Sequence, residues 1–195
     1  MAASAGVSLL WLPLGAGGSF VRLNGRVYEA VAARLARRPP ADLYHAALLV
    51  ELDGDTWAVE QAPVWNSREP ERGVVAEGPV GARWLGRLRL FRYEVRCWRG
   101  GAIPDAAEAV GGPLRVETDA PRAARLLGLV PACPTPTWGR DDLRAGAMWN
   151  SNSLVAWLLA ASGHDVATLA PPPGGRAPGW HAGLVVAARA DGPAA

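Results

Sequence analysis

The chain has 195 residues, of which 50% are hydrophobic and 19% are charged, and its formal net charge is +2. This length suits a single domain with its own core, and the composition excludes a disordered chain and an integral membrane protein. All 20 basic residues are arginine, which is typical of a GC-rich bacterial genome. Because the overall electrostatic field is weak, we expect no nucleic-acid partner.

The first predicted element is a short buried strand in the apolar run from Val7 to Leu14. This run is shorter than the roughly 20 apolar residues of a membrane span, and no basic residue precedes it as in a signal peptide. We therefore predict a cytoplasmic protein without a membrane span. We find no internal repeat, and we predict one domain over residues 1–190 and a disordered tail over 191–195.

A helix and a hairpin are predicted next. The helix runs from Val27 to Leu35, and Pro39 follows its end. The runs "YHAALLVEL" and "TWAVEQA" predict two strands, and Asp53-Gly54 between them is a strong signal for a tight hairpin turn. Residues 63–87 are rich in turn formers, and we predict a long irregular connection that covers a site.

The second half of the chain contains one predicted strand and two predicted helices. In "LRLFRYEVRCW" apolar residues alternate with Arg92, Glu94 and Arg96, which predicts a half-buried strand with the charged residues facing solvent. A capped helix is predicted over residues 120–129. The segment 152–162 is apolar on all sides, and such a helix is buried in the core. We predict that it is the central helix of the fold.

Four polar residues, Asn150, Ser151, Asn152 and Ser153, open this buried helix in "MWNSNSLVAWLLAASG". Helix capping explains one or two of them. The N-terminus of a buried helix also stabilises a developing negative charge and is a common position for a nucleophile. Three interpretations of Ser151 stay open: a helix-capping residue, a remnant of a catalytic site, and a working nucleophile.

A nucleophile needs a base, and the chain has three histidines, His45, His164 and His181. His164 follows the C-terminal end of the helix, roughly 20 Å from Ser151, and is too far away. His45 opens the strand run "YHAALLVEL" and His181 opens the run "WHAGLVVA", and either is a candidate for a base at the edge of a sheet. The hairpin register places Glu60 diagonally from His45 on the same face, and a one-residue slip replaces it with Gln61. His181 has no such partner, so His45 is the preferred base.

These three segments resemble circularly permuted papain-like proteins, the group that includes NlpC-type peptidases, PPPDE deubiquitinating proteins and lecithin retinol acyltransferase. The shared pattern is a histidine at the start of a strand, a polar residue on the next strand, and Asn-Cys-Asn at the start of a buried helix. Here the segments are "YHAALLVELDG" with His45, "WAVEQA" with Glu60 or Gln61, and "WNSNSLVAWLL" with Ser151 in the nucleophile position. They cover about a third of the chain.

The resemblance implies an α+β fold in which a small antiparallel sheet packs on the buried helix. It also implies a catalytic set of Ser151, His45 and Glu60 or Gln61 in a groove that binds an amide or ester. Serine replaces the family's cysteine and does not form a thiolate, so the resemblance implies either a serine hydrolase, an amidase, peptidase or acyltransferase, or a protein that kept the groove and lost the chemistry. We predict an altered or inactive member. The predicted substrate-binding residues are Asn150, Asn152, Trp149 and Trp65.

The alternative is a binding or interaction domain of another fold, in which the four polar residues only cap the helix. The predicted ligand in either case is a peptide, an acyl group or a small molecule. The histidines and cysteines are scattered, and no glycine-rich phosphate loop is present, so no metal and no organic cofactor are predicted.

Overall fold

The structure is a computed structural model that describes residues 5–14, 28–64 and 73–190. Trp65 and the predicted tail 191–195 lie outside this part of the chain. The strands are β1 (Ala5–Pro13), β2 (Asp42–Leu52), β3 (Asp55–Pro63), β4 (Val74–Pro79), β5 (Arg92–Arg99), β6 (Leu114–Val116) and β7 (Gly175–Arg176). The helices are α1 (residues 28–35), α2 (Ala120–Leu129), α3 (Ser151–Ala161) and α4 (Trp180–Ala190).

The strands form one sheet in the order β4-β5-β3-β2-β1-β6, and all neighbours in this order are antiparallel. The two-residue strand β7 pairs with the start of β2 in parallel. The predicted α+β fold with an antiparallel sheet is confirmed. The predicted hairpin is confirmed too, since Leu52 pairs with Asp55. Asp53 and Gly54 have φ of 53° and 85°, as a turn with two left-handed residues requires.

One face of the sheet packs against α2, α3 and α4 and forms the main core. Strand residues such as Leu48, Val59 and Val95 belong to the same apolar cluster as Leu154 and Leu158 of α3. Leu154 and Leu158 of α3 are fully buried, and the prediction that this helix lies inside the core is confirmed. We call this side of the sheet the α3 face.

The opposite face of the sheet is also covered. A second apolar cluster there contains Leu10 and Leu12 of β1, Ala47 of β2, Ala58 of β3 and Ile103 from the loop that follows β5. We call this side the Ile103 face. Where this face is covered, the charged residues of a strand are buried as well, and this corrects one of the predictions.

The charged residues of β5 were predicted to face solvent, and this is wrong for two of them. Arg96 is 0% exposed and Glu94 is 6% exposed. Arg96 donates to Glu94 at 2.9 and 2.8 Å and to Glu60 of β3 at 2.8 Å. Alternation identified the face of each residue correctly, but it does not show whether a loop covers that face.

Two other predictions need correction. The connection 63–87 was predicted to be irregular, but it contains β4 and a short 3-10 turn at Arg83–Arg87. His181 was considered as a base at the edge of a sheet, but the apolar run that it opens lies inside α4. Apolar runs of this length fit a buried strand and a buried helix equally well. No helix in the described ranges has the length and apolar character needed to cross a membrane.

Candidate functional site

The four polar residues at the start of α3 have different roles. Asn150 is the N-cap, and its Oδ1 accepts hydrogen bonds from the backbone N–H groups of Asn152 and Ser153 at 3.0 and 3.3 Å. The Ser153 hydroxyl accepts in return from the Asn150 N–H at 3.2 Å, which completes a capping box. The capping interpretation therefore holds for Asn150 and Ser153.

The same residues join α3 to the segment that precedes α4. Asn150 Nδ2 donates to the Pro178 carbonyl at 2.8 Å, and Ser153 Oγ donates to the Gly179 carbonyl at 2.8 Å. Gly179 has φ +88°, and a Cβ there would lie 2.6 Å from Asn150 Oδ1. Only glycine fits this position. The mouth of α3, by which we mean residues 149–153, is thus a rigid and largely buried structure.

Capping does not use the side chains of Ser151 and Asn152, and of these two Ser151 is the candidate nucleophile. It is the first residue of α3 and is 3% exposed. Its hydroxyl makes no hydrogen bond to a residue in the described part of the chain, so the position next to the free amides of the first turn stays available. A nucleophile in this position needs a base on the α3 face.

His45 does not supply that base, so the predicted Ser151–His45 pair is wrong. His45 pairs with Leu12, whose side chain belongs to the Ile103 face, whereas its neighbours Tyr44 and Ala46 belong to the α3 face. Successive side chains of a strand point to opposite faces, so the sheet lies between His45 and the mouth of α3. His45 lies near the start of the predicted strand, but its side chain points to the face of the sheet opposite Ser151.

The carboxylate that contacts His45 is Asp105, with 3.5 Å between His45 Nε2 and Asp105 Oδ2. Burial raises the pKa of the Asp105 carboxyl, but the hydrogen bond and charge of His45 outweigh this effect and leave the pKa below its usual value. Sequence reasoning missed Asp105, because it belongs to a loop remote from His45 along the chain.

Glu60 and Gln61 lie on opposite faces of β3. Glu60 is on the Ile103 face with His45, as the hairpin register predicted, but its carboxylate pairs with Arg96 instead of orienting the imidazole. Gln61 pairs with Val95 and is on the α3 face. Of the two residues that were predicted to orient His45, Gln61 is therefore the one on the same side of the sheet as Ser151.

The sheet opens beside Gln61. The ladder between β2 and β3 ends at the pair Leu48–Val59, although both strands continue beyond it. We call this opening, bounded by residues 44–47 of β2 and 60–63 of β3, the β2–β3 fork. Backbone groups at a fork lose their cross-strand partners and need others.

Asn152 of α3 provides one such partner. The Leu14 N–H donates to the Leu43 carbonyl on the β1 side, so the next carbonyl, that of Tyr44, points toward the fork. Asn152 Nδ2 donates to this Tyr44 carbonyl at 3.0 Å and to the Pro178 carbonyl at 2.9 Å. The mouth of α3 therefore lies directly at the fork.

Several buried polar atoms around the mouth and the fork have no hydrogen-bond partner among the described residues. They are both side-chain amide atoms of Gln61, Oδ1 of Asn152, and the indole N–H groups of Trp149 and Trp11. Trp149 directly precedes the cap, and Trp11 pairs across β1 and β2 with Ala46 at the fork. Buried polar groups are nearly always hydrogen-bonded in folded proteins, so these five atoms are exceptions on the α3 side of the sheet.

The two other histidines lie elsewhere. His181 is exposed in the first turn of α4 and does not stand at a sheet edge. His164, beyond the C-terminal end of α3, contacts Thr118 at 2.9 Å and Ser162 at 2.8 Å. Burial and the charge of Arg122 lower the pKa of His164. Because His164 lies beyond the opposite end of α3 from Ser151, it is excluded as the base, as predicted.

Among the described residues, no group of three or more acidic, histidine or cysteine side chains is placed to hold a metal ion. Comparison of the chain with protein-family models, with curated proteins and with solved structures found no match.

Proposed function

We propose that this protein is a non-catalytic binding protein that holds an amide-bearing ligand at the mouth of α3. The observation that carries the proposal is a set of buried polar groups at the mouth and the fork without partners in the described part of the chain, above all both amide atoms of the Gln61 side chain, which is 4% exposed. An unsatisfied buried polar group costs about 1–3 kcal/mol. A ligand that satisfies several of them recovers much of this free energy.

The available groups favour a neutral ligand with both donors and acceptors. The indole N–H groups of Trp11 and Trp149 and the Gln61 Nε2 donate, while Gln61 Oε1 and Asn152 Oδ1 accept. A carboxamide or peptide group presents one carbonyl and one or two N–H groups, and it complements this set. The buried charges of Glu60, Arg96 and Glu94 lie on the other face of the sheet.

The proposal also includes descent from a permuted papain-like fold that lost its chemistry. The order of the three segments along the chain supports it, as does the packing of a polar-mouthed buried helix on an antiparallel sheet. The proposed loss is supported by the β2 residues at the fork on the α3 face, Tyr44 and Ala46, neither of which is a histidine, and by serine at position 151. A cytoplasmic location and a single domain over residues 1–190 belong to the same proposal.

Labelling with a fluorophosphonate separates binding from catalysis. We expect no labelling that depends on Ser151, because the described strand residues at the fork present no histidine or carboxylate on the α3 face to take its proton. The parent protein is compared with Ser151→Ala and His45→Ala. Labelling of the parent that disappears in both variants would contradict the proposal and support the serine hydrolase alternative.

Calorimetric titration with N-acetylglycinamide tests the binding half of the proposal. We expect saturable binding to the parent and at least a tenfold weaker affinity in Gln61→Leu, since one lost pair of buried hydrogen bonds is worth about 1.4 kcal/mol or more. Equal affinity of the two proteins, or heat changes that do not saturate, would contradict it.

A further inference from the structure

A surface segment between β4 and β5 exposes large apolar side chains. It comprises Arg83–Phe91, which we call the Trp84 loop. Trp84 is 70% exposed, Leu88 is 56% exposed and Leu90 is 60% exposed. Single exposed apolar residues are ordinary, but three large ones in one short segment indicate an interaction surface.

The same loop is strongly basic. Arg83, Arg87 and Arg89 are exposed, and no acidic residue occurs between Glu77 and Glu94. The positive charge of Arg83 contributes to a lowered pKa of the Asp142 carboxyl. Arg87 and Arg89 form no ion pair with any residue in the described ranges. The loop thus carries a local positive charge within a chain whose net charge is only +2.

The Trp84 loop is fixed by its own hydrogen bonds. Two 3-10 turns, Arg83–Arg87 and Arg89–Phe91, build it, and the Leu88 and Phe91 N–H groups donate to the carbonyls of Leu85 and Leu88 at 2.9 Å each. At its base Arg92 Nε donates to the Gly86 carbonyl at 2.6 Å. A pre-organised loop loses little conformational entropy when it binds.

We propose that the Trp84 loop docks this protein on an anionic lipid bilayer. Apolar and cationic residues alternate along it, whereas protein interfaces collect their apolar residues in a centre with a polar rim. A bilayer surface can bind apolar and cationic residues that alternate in this way. Trp and Leu side chains enter the membrane interface, while the arginine stems lie along it and their guanidinium groups reach the anionic head groups. Tryptophan is enriched at this depth.

Co-sedimentation of the full chain with vesicles tests the proposal. We expect binding to vesicles that contain phosphatidylglycerol and much weaker binding to vesicles of phosphatidylcholine alone. The double variant Arg87→Gln/Arg89→Gln should bind the anionic vesicles about 25-fold more weakly, at about fivefold for each arginine. Trp84→Ala should reduce binding about tenfold, and raised salt should weaken it in the parent.

The matched control is Arg34→Gln/Arg125→Gln, which removes the same charge from two exposed arginines outside the loop. Binding of this control within about twofold of the parent supports a specific docking loop. Equal loss in the control and the loop variant overturns the proposal, as does failure of the parent to sediment with anionic vesicles. All the substituted residues are exposed, so folding is preserved and is checked by circular dichroism.

Discussion

Asn150 and Ser151 are neighbours with opposite roles. The Asn150 side chain accepts from two backbone N–H groups and donates to the Pro178 carbonyl, whereas the Ser151 hydroxyl has no partner among the described residues. The sequence predicted a cap here but did not show which residue provides it. Capping depends on backbone angles that are set by the preceding turn, and four candidate residues in a row satisfy the same pattern.

We expect Asn150→Ala to lower the free energy of unfolding by about 2–3 kcal/mol, because it removes both a cap and a buried hydrogen bond to the Pro178 carbonyl. Ser151→Ala is the matched control on the next residue and should change stability by less than about 0.5 kcal/mol. Urea denaturation followed by circular dichroism measures both. Similar losses in the two variants would show that Ser151 also has a structural partner.

At the level of strands and helices, sequence periodicity predicted the two long strands of the hairpin and the helices α2 and α3. It did not predict β4, β6 or the helical state of the last apolar run. It also left His45 on the wrong side of the sheet relative to Ser151. Alternation divides a strand into two faces, but which face the helices cover depends on packing between segments remote in sequence.

The buried ion triplet of β3 and β5 gives a second prediction. Arg96→Met leaves Glu60 and Glu94 buried without a positive partner, and we expect a loss of about 3–5 kcal/mol in the free energy of unfolding. The triple variant Glu60→Gln/Glu94→Gln/Arg96→Met removes all three charges and should recover most of this loss.

Arg99→Met on the same strand is the control, since the Arg99 side chain is 65% exposed, and it should change stability little. Denaturant unfolding of the four proteins makes the comparison. An Arg96→Met loss no larger than that of Arg99→Met would mean that the triplet is not buried in solution.

At the scale of the whole molecule, protonation of His164 makes the free energy of unfolding depend on pH. The Ser162 hydroxyl donates to the Leu158 carbonyl, so it accepts from His164 Nδ1, and Nε2 is left to accept from Thr118. This arrangement satisfies the neutral imidazole. Burial and Arg122 lower the pKa of His164 from 6.5, so the unfolded chain binds its proton more readily than the folded protein.

We therefore expect the contribution of His164 to be complete above pH 6.5 and to be lost as the pH falls from 6.5 through the lowered folded pKa. Unfolding free energies measured between neutral and mildly acidic pH should decline less steeply in His164→Gln than in the parent. His181→Gln, at the exposed start of α4, is the control for loss of a histidine. A slope in His164→Gln equal to that of the parent would contradict this account.

The central claim is that the unpartnered polar groups at the mouth of α3 and the β2–β3 fork bind an amide. The indole N–H resonances of Trp11 and Trp149 report on them directly. They are assigned with Trp→Phe variants and followed by nuclear magnetic resonance while N-acetylglycinamide is added. We predict saturable shifts of both resonances in the parent, and in Gln61→Leu we expect the same shifts to require at least about tenfold more ligand. Resonances that do not move in the parent, or that move equally in Gln61→Leu, would contradict the claim.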